Sequence, residues 1–317
     1  MSGPLILALP SKGRLKEQVE AWLADCGLAL RLAGGARGYA ASLDGYEGLE
    51  VRLTSAADIA AGLAAGDIHL GVTGEDLLSE TGSAKGPLLL LALGFGRADL
   101  VVAAPRSWID VQTMADVDDV AHDILARTGR RLRVATKYPI QTRSFFAAHG
   151  VADYRIVESG GATEGAPAAG VAELIVDITT TGATLAANGL KVLDDGMILM
   201  SQARLAAGPG ADWGAAGLQL ARRLLSVLEA RARGRTIASV VWPLAQEATA
   251  RAAVAPYARA GNAERANGAL VGGDDLFAAM EALTRAGVGP VSVTQPAYVF
   301  TAASEAADRL EAAVRAH

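Results

Sequence analysis

The sequence predicts an α/β protein built from more than one domain. Short apolar runs of strand length alternate with helical segments from Leu5 onward, which indicates a parallel or mixed sheet. The chain has 317 residues, more than a single hydrophobic core usually serves. Hydrophobic residues make up 51% of it and charged residues 20%, so large cores can be buried.

Charge and cysteine content exclude several classes of protein. The net charge of −5 argues against a general binder of nucleic acid or membrane surfaces. Cys26 is the single cysteine, which excludes an intramolecular disulfide and a cysteine metal site. No apolar run approaches the roughly 20 residues of a membrane span, and no signal peptide is recognisable. We therefore expect a soluble cytoplasmic protein.

The first element is a strand, Leu5–Leu9, followed by a turn and a helix from Leu15 to Cys26. The turn places Lys12 and Arg14 at the helix N-terminus, where cations are unfavourable for the helix dipole. They are either ordinary solvated side chains or a clamp for an anionic ligand. The carboxyl end of a strand is where α/β folds bind ligands, which favours the clamp.

The later elements follow the same alternation. The predicted strands up to residue 205 are Val51–Leu53, Ile68–Thr73, Leu88–Leu93, Leu100–Ala103, Leu132–Ala135, Tyr154–Val157, Leu174–Val176 and Ile198–Leu205. The predicted helices are Ser55–Ala65 with Ser55 as its cap, one opening at Gly74, Asp110–Gly129, Gln141–His149 and Leu218–Arg233. After Gly234 we expect strands Ile237–Trp242, Ala269–Val271 and Val291–Phe300, with helices Leu244–Ala260, Leu276–Ala286 and Ser304–Ala316.

One loop carries the strongest functional signal. Asp177 ends a buried-type strand, and the small residues Thr179–Thr184, which we call the threonine loop, lead into a helix. Gly182 permits close approach of a ligand, and consecutive N–H groups with threonine hydroxyls suit a phosphate. Asp177 would repel a phosphate but can accept hydrogen bonds from the hydroxyls of an adjoining sugar. The pattern therefore suggests a ribose 5-phosphate site.

An ordinary turn explains this loop about equally well on its own. Thr181 or Thr184 can cap the following helix, and Asn188-Gly189 supplies the stop signal of that helix. Short motifs also match by chance. The remainder of the chain has to decide between the two interpretations.

Several further segments, in a fixed order along the chain, favour the phosphate-site interpretation of the threonine loop. They are Leu7–Leu15, Leu70–Asp76, Leu93–Gly96, Val134–Pro139, and Glu164 with Asp177–Thr184. Together they resemble the ATP phosphoribosyltransferase family, which opens histidine biosynthesis, and the resemblance covers most of residues 5 to about 205. The length of the chain matches the long form of that family, which has an additional C-terminal regulatory domain.

The resemblance implies a two-lobed core like that of periplasmic binding proteins, with the active site between the lobes. It places residues 1–100 and 191–234 in the first lobe and residues 101–190 in the second. Residues 235–317 would form a small α+β, ferredoxin-like domain for regulation and assembly. The resemblance also implies Mg²⁺ as cofactor, a homo-oligomer that is a hexamer in the long form, and feedback inhibition by histidine.

The implied reaction joins N1 of ATP to C1 of phosphoribosyl pyrophosphate and releases pyrophosphate. The catalytic residues it implies are Asp177, Lys12, Arg14 and Glu164. The substrate-binding residues it implies are Thr179, Thr180, Thr181, Gly182, Ala183, Thr184, Arg37, Asp76 and Lys137. It does not say which residues hold the metal.

This chain departs from the family pattern in two places. The family commonly has Cys-Arg where this chain has Ala98-Asp99, with Arg97 just before, so the role of that arginine does not transfer. The strands around Asn267 do not follow the βαββαβ pattern of the regulatory domain, and a terminal helix is added. A binding protein of the same fold and a regulatory subunit of a larger transferase remain as alternatives.

Overall fold

The computed structural model describes residues 3–32, 40–82, 86–259 and 266–317. Its strands are β1 Leu5–Pro10, β2 Leu30–Leu32, β3 Ala40–Leu43, β4 Leu49–Thr54, β5 Leu70–Gly74, β6 Leu88–Ala92, β7 Asp99–Pro105, β8 Leu132–Thr136, β9 Tyr154–Glu158, β10 Leu174–Thr179, β11 Leu190–Leu199, β12 Ala203–Ala207, β13 Ile237–Val241, β14 Gly268–Gly272 and β15 Ser292–Thr294. Its helices are α1 Gly13–Asp25, α2 Ala56–Ala65, α3 Glu75–Glu80, α4 Met114–Thr128, α5 Pro139–Ala148, α6 Ala183–Ala187, α7 Gly214–Thr236, α8 Glu247–Val254, α9 Leu276–Arg285 and α10 Glu305–Ala316.

The chain forms two compact units. The first comprises Met1–Gly217 with Leu310–His317, and the second comprises Leu218–Arg309. The first unit contains two sheets, and we call the part around each sheet a lobe. None of the described helices is both long and apolar enough to span a bilayer.

A seven-stranded mixed sheet forms the first lobe, in the order β2-β3-β4-β1-β5-β12-β6. The central strand β1 is parallel to β4 and β5, because helices α1 and α2 return the chain to the same edge. Helix α2 begins as expected, since Ser55 accepts a hydrogen bond from the N–H of Asp58. Ile59 and Leu63 of this helix are buried against the sheet.

A five-stranded sheet forms the second lobe, in the order β11-β7-β10-β8-β9. Strands β9, β8 and β10 run parallel, whereas β7 is antiparallel to both of its neighbours. Each face carries its own core. One includes Met114, Phe146 and Val176, and the other includes Ile175 and Leu185. The apolar run of β10 is continuous because both of its faces are covered.

The strand predicted over Ile198–Leu205 is wrong, because two strands stand there. Strand β11 pairs with β7 in the second lobe, and β12 pairs with β5 and β6 in the first. The chain crosses between the lobes at Met200–Gln202, where the two polar residues Ser201 and Gln202 separate the strands. The second sheet therefore extends to Leu199, beyond the lobe boundary expected near residue 191.

The second unit is an α+β domain with a three-stranded sheet in the order β14-β13-β15. Both outer strands are antiparallel to β13, and helices α8 and α9 bury Trp242, Val254 and Leu283 on one face. The unit begins at Leu218 rather than near residue 235. Helix α7 contributes to it, since the carbonyl of Ala230 accepts a hydrogen bond from the N–H of Val299.

The predicted fold class, a two-lobed α/β core with a small C-terminal α+β domain, is confirmed by this architecture. Two elements of the second unit are shorter than expected. Helix α8 covers only part of the predicted Leu244–Ala260, and β15 only part of Val291–Phe300. The described part of the unit shows three strands where a βαββαβ arrangement has four.

Candidate functional site

The candidate site residues of the second lobe lie where the parallel pairing of β10 with β8 ends, although β10 itself continues to Thr179 beside β7. Val176 of β10 is in register with Thr136 of β8. Asp177 and Lys137 directly follow these two residues, so both lie at the same edge of the sheet. The carboxyl edge of a parallel sheet is where α/β proteins bind ligands.

Asp177 is the most strongly perturbed acid of this edge. Burial raises the pKa of its carboxyl group, and the charge of Glu164 raises it further. The N–H of Ile178, at 2.9 Å from Oδ1, the charge of Lys137 and the hydroxyl of Thr163 all act in the opposite direction. The charges of Glu164 and Lys137 therefore both act on Asp177, and we call these three residues the Asp177 group.

The threonine loop follows at once. Thr179 Oγ1 accepts a hydrogen bond from the N–H of Gly182 at 2.9 Å, which folds the loop back on itself. The backbone N–H groups of Thr180, Thr181 and Thr184 have no partner within the described part of the chain. They are three donors available to an anionic ligand.

Gly182 has a backbone geometry that other residues adopt only with strain. Its φ is +73°, in the left-handed region, and no atom lies within 4 Å of the position a Cβ would take. The glycine is thus required by its backbone angle, and the space beside it is open. Gly182 is also the N-terminal cap residue of α6 and has no side chain to bond the helix. The Thr181 hydroxyl accepts the N–H of Ala183, the first residue of α6, at 3.4 Å, whereas Thr184 lies inside the helix.

Glu164 lies in a short 3₁₀ helix, Thr163–Gly165, which begins after a residue with a left-handed backbone conformation. Ala162 has a φ of +50°, which costs about 1 kcal/mol for a residue with a side chain. Thr163 is buried, and its hydroxyl donates to Ser159 Oγ at 2.8 Å. The turn is therefore fixed from the inside while Glu164 stays half-buried at its edge.

The first lobe contributes the cations predicted from the sequence. Lys12 caps α1 with extended backbone angles and no side-chain bond, and Arg14 lies in the first turn. Both side chains are exposed, and the described residues give neither of them an ion pair. Among the described residues, no hydrogen bond or ion pair joins them to the Asp177 group, which lies in the other lobe. Arg37 lies outside the described residues.

Asp76 is placed differently from the other substrate-binding candidates. Only 4% of it is exposed, and both of its carboxylate oxygens already accept hydrogen bonds. Oδ2 accepts from the Tyr138 hydroxyl at 2.8 Å, and Oδ1 accepts from the Ser201 hydroxyl at 2.9 Å. Its role in substrate binding stays a prediction, and the structure places it in a network between the lobes.

The residues that sequence reasoning missed belong to this network and to the Asp177 group. They are Tyr138, Ser201, Glu80, Gln141 and Thr163. Tyr138 directly follows Lys137 in a segment that carried the family resemblance, which is the only local signal for it. The others contact partners that are more than ten residues away along the chain or lie in irregular turns, so spacing could not reveal them.

The described residues contain no cluster of three or more histidine, cysteine, aspartate or glutamate side chains that could hold a metal ion. Mg²⁺, however, usually keeps several of its waters and binds through one or two carboxylates together with substrate phosphates. The half-buried pair Asp177 and Glu164 fits that second mode of binding.

Comparisons with known proteins identify the family of this chain. The family model described as ATP phosphoribosyltransferase matches residues 55–228, which include both strands of the site and the threonine loop. ATP phosphoribosyltransferase of Caulobacter vibrioides (strain NA1000 / CB15N) is 64% identical over 317 residues, covering 99% of each chain. The enzyme of that name from Bradyrhizobium sp. (strain ORS 278) is 60% identical over 235 residues, or 74% of this chain and 72% of that one.

A solved structure shares the fold. It is the ATP phosphoribosyl transferase (HisG:HisZ) complex from Thermotoga maritima, which aligns with a TM-score of 0.54 at 24% identity. The alignment covers 71% of this chain and 96% of that one. The family model spans more than half of this chain, and the Caulobacter relative matches it almost from end to end. The chain therefore belongs to the ATP phosphoribosyltransferase family.

Proposed function

We propose that this protein is an ATP phosphoribosyltransferase that catalyses the first step of histidine biosynthesis. N1 of the adenine of ATP attacks C1 of phosphoribosyl pyrophosphate, and the new N1–C1 bond forms. The bond between C1 and the pyrophosphate oxygen breaks, and its electron pair leaves with pyrophosphate. Adenine N1 is already a nucleophile, so no serine or cysteine nucleophile is required.

The observation that carries this proposal is the half-buried Asp177 directly before the threonine loop, inside the segment that the family model matches. A sugar phosphate requires donors for its phosphate and an acceptor for its hydroxyl groups. The loop offers free N–H groups to the 5-phosphate, and the carboxylate accepts from the ribose hydroxyls. Helix α6 has only five residues, so the loop donors rather than the helix dipole provide most of the binding.

Charge is the difficult part of the chemistry. A positive, oxocarbenium-like ribose develops while a polyanion departs. Asp177 is held partly out of water beside the ribose, where its negative charge stabilises the developing positive charge. Lys137, and across the cleft Lys12 and Arg14, are suited to the departing pyrophosphate. Glu164 is expected near the ribose or the metal.

Mg²⁺ is proposed as the cofactor. When bound, it neutralises the negative charge of the pyrophosphate group. Asp177 and Glu164 are the residues that would help to hold it. Since the described residues show no larger acidic cluster, we expect the metal to arrive with the substrate phosphates.

The rival function is ligand binding without chemistry, in a two-lobed protein of the same fold. The test is pyrophosphate release by the purified protein with ATP, phosphoribosyl pyrophosphate and Mg²⁺, with omission of ATP as the blank. We expect turnover that depends on both substrates. Tight binding of phosphoribosyl pyrophosphate without any pyrophosphate release would favour the rival.

Asp177→Asn tests the central residue, because it removes a charge and keeps the volume. We expect kcat to fall by about 100-fold, the order found when one electrostatic stabiliser of a transition state is removed. Asp194→Asn is the matched control, since it makes the same change at an exposed position of β11 in the same lobe. Near-wild-type turnover of Asp177→Asn would refute the catalytic role.

We also propose that the enzyme works in the cytoplasm, where ATP is available, as a homo-oligomer, and that histidine inhibits it. The hexamer of the long form is the expected assembly. These proposals rest on family membership. Histidine titration of the full-length enzyme, with sedimentation in parallel, tests both regulation and assembly. Full activity at millimolar histidine would exclude feedback control.

A further inference from the structure

Helix α3 of the first lobe presents two acids, Asp76 and Glu80, to the turn before α5 of the second lobe. They are four residues apart and therefore lie on one face of the helix. Asp76 accepts the Tyr138 hydroxyl at 2.8 Å. Glu80 accepts the backbone N–H groups of Ile140 at 2.6 Å and of Gln141 at 3.1 Å, so it caps the start of α5.

The Gln141 side chain completes this contact. Its Nε2 donates to the carbonyl oxygen of Asp76 at 2.9 Å and to Glu80 Oε2 at 3.3 Å. On the far side of Asp76, the Ser201 hydroxyl donates to Oδ1 and accepts from the N–H of Asp76 at 3.1 Å. Ser201 lies in the segment Met200–Gln202, where the chain crosses between the lobes.

Tyr138 is fixed through its backbone as well as its hydroxyl. Its N–H donates to Thr136 Oγ1 at 2.9 Å, and its carbonyl accepts the Thr142 hydroxyl at 2.6 Å. Burial, and then the nearby charge of Asp76, raise the pKa of the Tyr138 phenol, which therefore stays protonated as a donor. The residue between Thr136 and Tyr138 is Lys137, whose charge acts on Asp177.

We propose that Asp76 and Tyr138 are positioning residues that hold Lys137 in place beside Asp177 for the departing pyrophosphate. This inference rests on the proposed function. Neither residue needs to touch the substrate. Asp76 already has both oxygens engaged and 96% of its surface covered, and the Tyr138 ring is buried. The network fastens the turn that carries Lys137 to the first lobe and to the crossing segment.

Tyr138→Phe is the first test, because it removes one hydroxyl and keeps the ring. We expect kcat/KM for phosphoribosyl pyrophosphate to fall about tenfold, which corresponds to about 1.4 kcal/mol of transition-state stabilisation. Tyr154→Phe is the matched control, since Tyr154 is a partly buried tyrosine of the same lobe that packs on Phe146. We expect this control to keep wild-type kinetics.

A double-mutant cycle separates positioning from a merely structural role. If Tyr138 acts through Lys137, then Tyr138→Phe will cost nothing further in a Lys137→Ala background. Fully additive losses would overturn the proposal. Asp76→Asn provides the second variant, because its amide nitrogen cannot accept a hydrogen bond. The losses of kcat/KM caused by Asp76→Asn and by Lys137→Ala should also be non-additive, and additive losses would likewise overturn the proposal.

A binding measurement keeps this test independent of turnover. Calorimetry with inorganic pyrophosphate should show that Tyr138→Phe and Lys137→Ala weaken binding to a similar extent and that the double variant binds no more weakly. Should wild-type protein bind pyrophosphate but release none from the two substrates, the proposed function would fail while the inference on Tyr138 is still tested. Unchanged pyrophosphate affinity in Tyr138→Phe, with Lys137→Ala impaired, would overturn the inference.

Discussion

Glu173 forms the best-defined ion pair of the second lobe, and replacing it should weaken the strands that carry the site. Its carboxylate accepts hydrogen bonds from Arg133 Nη2 at 2.7 Å and from Arg130 Nη1 at 2.9 Å. It also accepts the backbone N–H of Arg133 at 2.8 Å. Glu173 immediately precedes β10, and Arg133 lies in β8, so the pair joins the two strands that end at Asp177 and Lys137.

The size of the effect follows from the pKa of Glu173. Burial alone would raise this pKa, but the hydrogen bonds and charges of Arg133 and Arg130 lower it from 4.5 to about 2. At 1.36 kcal/mol per pH unit, this difference corresponds to an upper limit of about 3 kcal/mol. The Arg130 side chain is 48% exposed, so solvent screening reduces the expected contribution to about 1–2 kcal/mol.

The sign of the pH dependence is fixed by the lowered pKa. The stabilisation is complete above about pH 4.5, where the unfolded state is also ionised, and it is lost as pH falls toward 2. Glu173→Gln should therefore be less stable than wild type at pH 7. The difference between the two proteins should shrink progressively below pH 4.5.

Hydrogen exchange is the suitable assay, because a chain of two compact units need not unfold in one step. The opening free energy of β8 and β10 amides is compared in wild type and Glu173→Gln at each pH. Asp123→Asn is the control, since its pair with Arg127 in the same lobe is exposed on both sides. A difference between wild type and Glu173→Gln that stays constant from pH 7 to pH 3 would refute the reasoning.

Four further predictions concern the site, its motion and the surface. Gly182→Ala should raise KM for phosphoribosyl pyrophosphate several-fold through strain at a φ of +73°, and the same strain should lower the melting temperature slightly; unaltered kinetics would contradict this. Replacing both Thr181 and Thr184 with valine should weaken phosphoribosyl pyrophosphate binding measured by calorimetry, because two donors are lost, and equal affinity would argue against the loop as a phosphate site. The lobes should close on the substrates, and X-ray scattering should show a smaller radius of gyration; identical profiles with and without substrates would count against closure. The Asp118 carbonyl and then the Asp118 charge raise the pKa of His122, with further contributions from Asp153 and Asp119. Protonated His122 should therefore stabilise the protein fully below about pH 6.5, and this stabilisation should be lost as pH rises further. If the difference in melting temperature between wild type and His122→Gln grows as pH rises, this reasoning is wrong.

Elements that depend on neighbouring residues could be predicted from the sequence. The cap at Ser55 and strand β10 were predictable because each depends on neighbouring residues, namely a hydroxyl before a helix and a continuous apolar run. The loop from Asp177 to Thr184 could also be predicted, because its acid, hydroxyl groups and glycine are close together in the sequence. The placement of Asp177 and Lys137 at one edge follows from parallel pairing of β10 with β8.

The rest depends on contacts that no local pattern records. Strands β2 and β3 were missed because they are only three and four residues long. The crossing at Met200–Gln202 was missed because two polar residues, Ser201 and Gln202, do not by themselves distinguish a break between strands from one longer strand. The position of Asp76 depends on Tyr138, which lies 62 residues further along the chain, so sequence reasoning could assign Asp76 only by family resemblance.

The crossing segment has a mechanical consequence. The chain passes between the lobes after β6 and again after β11, and the N–H of Ala98 in the first passage donates to the carbonyl of Ser201 in the second at 3.1 Å. Two backbones that are hydrogen-bonded side by side resist relative sliding and twisting more than a single linker does. We therefore expect relative motion of the lobes to be restricted largely to bending about one axis, so that each closure would return the two lobes to the same alignment.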